Sequence, residues 1–280
     1  MRVGCHLSTS KGFVKTVEKA IELNATAFQY FPKNPRSNRL RHLDAKEAEK
    51  GATAADQAGL LTVAHSPYVT NLSTPDKDLH TKTVESLVND LEICDAFHTP
   101  YLVVHCGKHV GQGEDAGRRT MVDTMDEVLD RFHGKAILLL ENTAGQGSEL
   151  GTTFEELMEI RAQSAQQERI AFCYDTCHAF AAGALDYDNW EKALERLQHC
   201  GALPLIKAVH FNDSMTGFLS HRDRHQLLGK GEIGLDRLRA IAQSPAFANV
   251  PLLLETPVEK EEEYADEIAL LHQWVGETAA

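Results

Sequence analysis

Short apolar runs alternate with longer amphipathic stretches along the whole chain. The runs Val3–His6, Ala27–Tyr30, Leu61–His65, Tyr101–His105, Ala136–Glu141, Ile170–Asp175, Ile206–His210 and Pro251–Glu255 predict eight β-strands. Several are near-continuous Val, Ile and Leu, as in strands covered on both faces, where polar alternation is lost. Between them the period is helical. In the first such stretch Phe13, Val14, Val17, Ala20 and Ile21 share one face, and Ser10 is the candidate N-cap. The others are Ala45–Ala58, Thr83–Ala96, Arg118–Phe132, Phe154–Ala162, Trp190–Cys200, Leu235–Ala242 and Glu259–Trp274. Eight strands, each followed by a helix, predict an α/β fold, the (β/α)8 TIM barrel, as a single domain over residues 1–280.

The connections agree with this. Helix-to-strand links such as Asn24–Thr26 and Phe97–Pro100 are short, whereas strand-to-helix links are long and rich in Gly, Asn, Ser and His. "FPKNPRSNRLRHL", "HSPYVTNLSTP", "ENTAGQGSELGT" and "FNDSMTGFLSHRDRHQLLGKGEIG" all follow strands. In a barrel these loops form the face that carries the chemistry. There is no internal repeat, low-complexity tract or Pro/Ser-rich linker.

From the third strand onward, the strand-terminal residues are His65, His105, Glu141, Asp175, His210 and Glu255. All are metal-ligand types, and each closes an apolar run. A lone His or Glu at a strand end is more often a surface residue, but six in succession on parallel strands would ring one mouth of the barrel. Gathering so many ionisable groups demands a counter-charge, which divalent cations supply. Three further candidates lie in loops: His178, and Asp223 with His225 in "RDRH". Nine imidazole and carboxylate candidates are too many for one ion and suit a cluster in an open catalytic site.

The cysteines change little. Cys5, Cys94, Cys106, Cys173, Cys177 and Cys200 form no compact framework, and Cys173 and Cys177 stand in a C-x3-C spacing with no second pair. They read as packed free thiols, not a cysteine zinc site. The formal charge of −13 in 280 residues argues at first against nucleic acid. That argument weakens if carboxylates are neutralised around metals, and if the loop residues Arg36, Arg39, Arg41, Lys108, Arg222, Arg224 and Lys230 bring positive charge to the active face. "GKGEIG" lacks the spacing and the Ser/Thr of a nucleotide-binding loop, so no nucleotide cofactor is expected. No apolar run reaches the roughly 20 residues of a membrane span. The N-terminal stretch has no signal-peptide pattern, so a cytoplasmic location is expected.

The segments "HLSTSKG", "FPKNPR", "AHSPYVTNL", "LENTAGQG", "YDTCHAFAAG", "HFNDS", "DRHQLLGKGEIG" and "LLLETP" resemble bacterial endonuclease IV, the deoxyribonuclease IV type of abasic-site endonuclease (AP endonuclease family 2). The likeness covers essentially the whole chain, and "ENTAGQG" and "DTCHAFAAG" are its most specific parts. It implies a xylose-isomerase-like TIM barrel with three metals, usually Zn²⁺, with Mn²⁺ or Fe²⁺ as substitutes. Carried over by motif, His65, His105 and Glu141 would hold the first ion, and Glu141, Asp175, His210 and Glu255 the second. His178, Asp223 and His225 would hold the third.

The resemblance further implies base excision repair: cleavage of duplex DNA 5′ to an abasic site, leaving a 3′-hydroxyl and a 5′-deoxyribose phosphate, with removal of damaged 3′ ends. Glu141 would be the catalytic carboxylate that orients the attacking water, and Arg36 and Tyr68 would enter the damaged duplex. The chain departs from the family pattern at Asn38, Cys106 and Gln226, where an aromatic residue, proline and histidine are common. None of these is a candidate ligand. A monomer is expected. The rivals are a metal-dependent sugar isomerase or epimerase on the same barrel, to which His178 and the "DRH" loop would be surplus, and a catalytically silent DNA-binding scaffold.

Overall fold

The computed structural model describes residues 1–278. Seven strands come first: β1 (Val3–His6), β2 (Ala27–Tyr30), β3 (Leu61–His65), β4 (Tyr101–His105), β5 (Ile137–Glu141), β6 (Ile170–Asp175) and β7 (Ile206–His210). A small hairpin, β8 (Asp213–Ser214) and β9 (His225–Gln226), precedes the last barrel strand, β10 (Leu252–Leu254). The eight barrel strands close in the order β1-β10-β7-β6-β5-β4-β3-β2, with all pairings parallel.

Around the barrel lie α1 (Phe13–Glu22), α2 (Ala45–Gln57), α3 (Lys77–Ala96), α4 (Glu114–Arg131), α5 (Phe154–Gln163), α6 (Thr176–Ala182), α7 (Trp190–His199), α8 (Leu235–Ala242) and α9 (Tyr264–Thr278). Among the described residues no helix is long and apolar enough to cross a membrane.

Alternation along the strands makes two cores. Ala27, Val63, Val103, Leu139, Ala171, Cys173, Ala208 and Leu253 fill the barrel interior, while intervening residues such as Phe28, Leu102, Leu138 and Phe172 pack against the helices. Small side chains are needed where strands converge, and at Gly4 none fits: a Cβ there would lie 1.7 Å from the Ala27 carbonyl oxygen. Gly4→Ala is therefore expected to cost more than about 3 kcal/mol or to prevent folding, since backbone of a closed barrel cannot yield. Gly276→Ala, in α9 with open space around it, should instead gain roughly 0.5–1 kcal/mol from helix propensity. Urea unfolding of the two variants checks the contrast.

The structure corrects several expected boundaries. Ser10 does not cap α1. Gly12 occupies the N-cap at φ 94° with no side-chain cap bond, and Ser10 bonds instead to Ser8. Asp76 caps α3, so that helix begins at Lys77, and α4 begins at Glu114 after Gly113. These first turns are polar and carry no apolar period, so periodicity misses them. The last helix begins at Tyr264, after a 3₁₀ turn at Glu261–Glu263. The short helix α6 was not among the expected elements, because it directly continues the strand before it.

The loop after β2 is anchored by a buried contact between a lysine and a carboxyl group. Lys33 Nζ lies 2.8 Å from Asp90 Oδ1 on α3 and donates to the Ser86 carbonyl at 2.6 Å. Burial pushes the Asp90 carboxyl up to about 7 despite Lys33, and burial lowers the Lys33 ammonium. In the window from about pH 4 to 7 the folded state therefore holds a proton that the unfolded chain has released. Stability from Asp90 is thus full below about pH 4 and is lost as pH rises toward 7, by up to ~4 kcal/mol. Denaturant titrations of metal-free protein at pH 5 and pH 7.5 should show this slope, and Asp90→Asn should lack it.

Candidate metal centre

Register brings the strand-end residues together. In the parallel ladders His105 pairs with Glu141 and Asp175 with His210, so these neighbours leave the barrel at matching heights on its C-terminal mouth. Glu255 follows β10 directly instead of ending it.

Glu141 sits at the middle and is fully buried. Its Oε2 lies 3.2 Å from His65 Nε2 and 3.1 Å from His105 Nε2, while its Oε1 lies 2.9 Å from His210 Nδ1. The two oxygens of one carboxylate therefore face different groups of residues. His210 Nδ1 is also 3.1 Å from Glu255 Oε2 and 3.9 Å from Asp175 Oδ2.

A third group forms where the chain folds over the mouth. Asp175 is the N-cap of α6, and its Oδ1 accepts from the His178 backbone N–H at 2.6 Å. This places His178 at the third helical position, facing Glu141. The β8–β9 hairpin brings in Asp223 and His225: Asp223 Oδ1 is 3.2 Å from His178 Nε2 and 3.4 Å from His225 Nε2. His225 Nε2 also stands 3.6 Å from Asp175 Oδ2.

Ligand-type atoms thus converge within 4.8 Å of one another in the sets His65/His105/Glu141, Glu141/Asp175/His210/Glu255 and His178/Asp223/His225. Asp175, Cys177 and His225 also meet this criterion. Cys177 is poorly suited as a ligand, since burial pushes its thiol up to about 12. Burial does the same to Cys173, again to about 12.

The electrostatics favour cations at the centre. Burial opposes ionisation of Glu141, but His210 and His105 hold its carboxyl well below the usual carboxylate range. Burial likewise opposes charge on Glu255 and Asp223, which His210 and His178 respectively hold low. The carboxylates therefore stay anionic near neutral pH. The histidines are oriented from outside: His65 Nδ1 lies 2.7 Å from the Ser66 carbonyl, His178 Nδ1 3.0 Å from that of Asn142, and His225 Nδ1 3.3 Å from that of Glu255. A carbonyl oxygen can only accept, so those nitrogens carry the proton and the opposite ones turn inward. His178 Nε2 and His225 Nε2 are buried and make no hydrogen bond. Nitrogens turned inward beside ionised carboxylates, with an outer carbonyl on the rings of His65, His178 and His225, fit divalent metal ions.

Asparagines complete the frame. Asn142 Oδ1 accepts from the Asp175 N–H at 2.8 Å, Asn212 Nδ2 donates to Asp175 Oδ2 at 2.9 Å, and Asn212 Oδ1 accepts from the Glu255 N–H at 2.8 Å. Neither residue was among the sequence candidates. Their signal was present in "EN" and "HFN", one and two residues beyond two of the strand ends.

A family model described as a xylose isomerase-like TIM barrel, of the AP endonuclease 2 type, matches residues 17–274. The "Probable endonuclease 4" of Symbiobacterium thermophilum is 49% identical over 269 residues, covering 96% of this chain and 98% of the relative. The chain belongs to the endonuclease IV family. Membership makes it a nuclease by class, hence a hydrolase of phosphodiester bonds. The crystal structure of endonuclease IV from Thermus thermophilus superposes with a TM-score of 0.89 at 34% identity, covering 99% of this chain and 100% of that one. A D-tagatose 3-epimerase-like protein also aligns over the full length of both chains, with a TM-score of 0.73, but at 21% identity it speaks for the fold alone.

The two loop residues singled out as duplex contacts lie on this face of the family's barrel. Tyr68 is 65% exposed, with its ring edge-on to Phe31 at 5.0 Å. Its backbone N–H donates to the Pro35 carbonyl at 2.8 Å, which ties its loop to the one bearing exposed Arg36. A cleft of about 490 Å³, lined by Tyr68, Asn71, His105, Lys108, Asp223 and Arg224, runs from Tyr68 to the metal centre. Arg39, Arg222 and Lys230 are also exposed here, while Arg41 is held by the Pro32 carbonyl.

Proposed function

We propose that this chain is a metal-dependent apurinic/apyrimidinic endonuclease of base excision repair. It cleaves the phosphodiester 5′ to an abasic site in duplex DNA, leaving a 3′-hydroxyl and a 5′-deoxyribose phosphate, and it also trims blocked 3′ ends. The observation that carries the reading is the third group, His178/Asp223/His225, set against the other two at one barrel mouth. A sugar epimerase on this barrel has no use for it.

In this reading the nine residues hold three ions, zinc as the family resemblance implies, with manganese or iron as substitutes that the same donor set accepts. Bound there, divalent ions would supply Lewis acidity and an activated water near neutral pH. Glu141 orients that water, because its two oxygens face both sides of the reaction centre. Arg36 and Tyr68 occupy the gap left by the missing base, and a missing base lowers the cost of extruding the lesion. Exposed loop cations offset the acidic body and meet the backbone phosphates. The enzyme works as a cytoplasmic monomer without a nucleotide cofactor.

A labelled duplex with one stable abasic analogue, incubated with purified protein with and without chelator, tests the proposal. A nick 5′ to the lesion that chelator abolishes supports it. Absence of a nick from metal-replete protein refutes it and turns attention to sugar substrates. Arg36→Ala and Tyr68→Ala should each raise KM for the abasic duplex by roughly 10-fold, about 1–3 kcal/mol of lost stacking or phosphate contact, with metal content unchanged. Steady-state kinetics alongside metal analysis would check this.

A further inference from the structure

We infer that Gln29, on β2, is a positioning residue for this centre: its amide selects which nitrogen His210 offers to a metal and fixes the carboxylate of Glu255. The inference rests on the metal-centre reading and deepens it.

Gln29 is completely buried, between Phe28 and Tyr30 in sequence, and its backbone pairs with that of His6 in the β1–β2 ladder. Its Nε2 lies 2.7 Å from Glu255 Oε1 and 3.0 Å from His6 Nδ1, and its Oε1 lies 2.7 Å from His210 Nε2. An ionised carboxylate only accepts, so the amide nitrogen must face Glu255. The amide oxygen then necessarily faces His210, and His210 Nε2 must carry the hydrogen. That leaves His210 Nδ1 as the nitrogen directed at Glu141, Glu255 and Asp175. The second amide hydrogen goes to His6 Nδ1, so every polar valence used here has a partner. A polar amide buried beside strand backbone would ordinarily be replaceable by an apolar side chain of the same length. Here its two polar ends bond two members of one ligand set, which an apolar side chain cannot reproduce.

The inference predicts a selective effect. Gln29→Met should weaken binding of one zinc ion roughly 10–100-fold, the range for removing an outer hydrogen-bond partner of a ligand, and leave the other two unaffected. Zinc titration against a chromophoric chelator reads the affinities. Imidazole ¹H–¹⁵N spectra read the His210 tautomer, with a slowly exchanging Nε2–H expected in the wild-type chain and lost in Gln29→Met. Gln29→Glu retains the acceptor toward His210 but loses the amide donor to Glu255, so it should keep that signal while still weakening the same zinc ion, which covers the case in which the methionine variant fails to fold. Wild-type affinities with an unchanged signal in Gln29→Met, or loss of the signal in Gln29→Glu, would overturn the inference while the metal-centre reading stands. Wild-type protein that takes up no zinc would overturn both.

Discussion

Glu141→Gln is expected to lower the single-turnover nicking rate by about 10³-fold, the middle of the range for removing a positioned group that handles a proton in the transition state. The substitution preserves shape but turns one carboxylate oxygen into an NH₂ group and removes the charge. Because Oε2 faces His65 and His105 while Oε1 faces His210, the new NH₂ must point at one set or the other. Whichever it faces would lose cation affinity, so metal content should fall together with the rate. Rapid-quench kinetics and elemental analysis on the same preparation would decide it. Wild-type rate and full metal content would eliminate the central role given to this carboxylate.

The second large effect lies outside the ligand set. Asp213, fully buried on β8, accepts backbone N–H groups from Ser214, Gly229, Gly231, Ile233 and Gly234, at 2.7, 2.9, 3.1, 2.9 and 3.4 Å. The "GKGEIG" loop is thus an amide nest whose anion is supplied by the chain itself, which accounts for its superficial likeness to a phosphate loop. Gly231 has no room for a side chain there, since a Cβ would meet the Ser214 carbonyl oxygen at 2.3 Å.

Asp213→Ala strands several of these donors, at an expected cost of about 3–5 kcal/mol and a Tm lower by on the order of 10 °C. The β8–β9 pairing that carries His225 should loosen too, so the variant should lose zinc from the His178/Asp223/His225 group first. Formate, a small carboxylate able to enter the vacated nest, should restore part of the Tm. Calorimetry with and without formate tests this, and an unchanged Tm in Asp213→Ala would dismiss the nest as a stabilising element.

The ligand candidates at the strand ends were legible because two physical rules act together. A strand covered on both faces must be apolar until it emerges at the barrel rim, so the ionisable residue that closes "YLVVH" or "AILLLE" marks the emergence point. Parallel strands all emerge on the same side, so such residues gather without any knowledge of contacts. His178 and the Asp223/His225 pair lie in connections, where periodicity carries no information, and their place among the candidates came from residue type and motif. What that reading lacked was the reason for the spacing in "DTCH". Asp175 caps a helix whose third residue is His178, so one side chain both starts the element and faces the centre.

Gln29 and Asp213 escaped because nothing local distinguishes them. Gln29 lies within a strand rather than at its end, and its partners Glu255 and His210 are 226 and 181 residues distant. Asp213 reads as an ordinary loop acid, yet it folds back on backbone up to 21 residues ahead.

The sequence by itself determined the order of strands and helices, the barrel topology and the residue types presented at its mouth, because apolar periodicity and strand polarity are local properties of the chain. Only the tertiary structure decided which oxygen of Glu141 faces which histidine, which nitrogen each imidazole turns inward, and how the hairpin carries Asp223 and His225 over the rim. Those depend on ladder register and on hydrogen bonds between distant segments, which form only when the barrel closes.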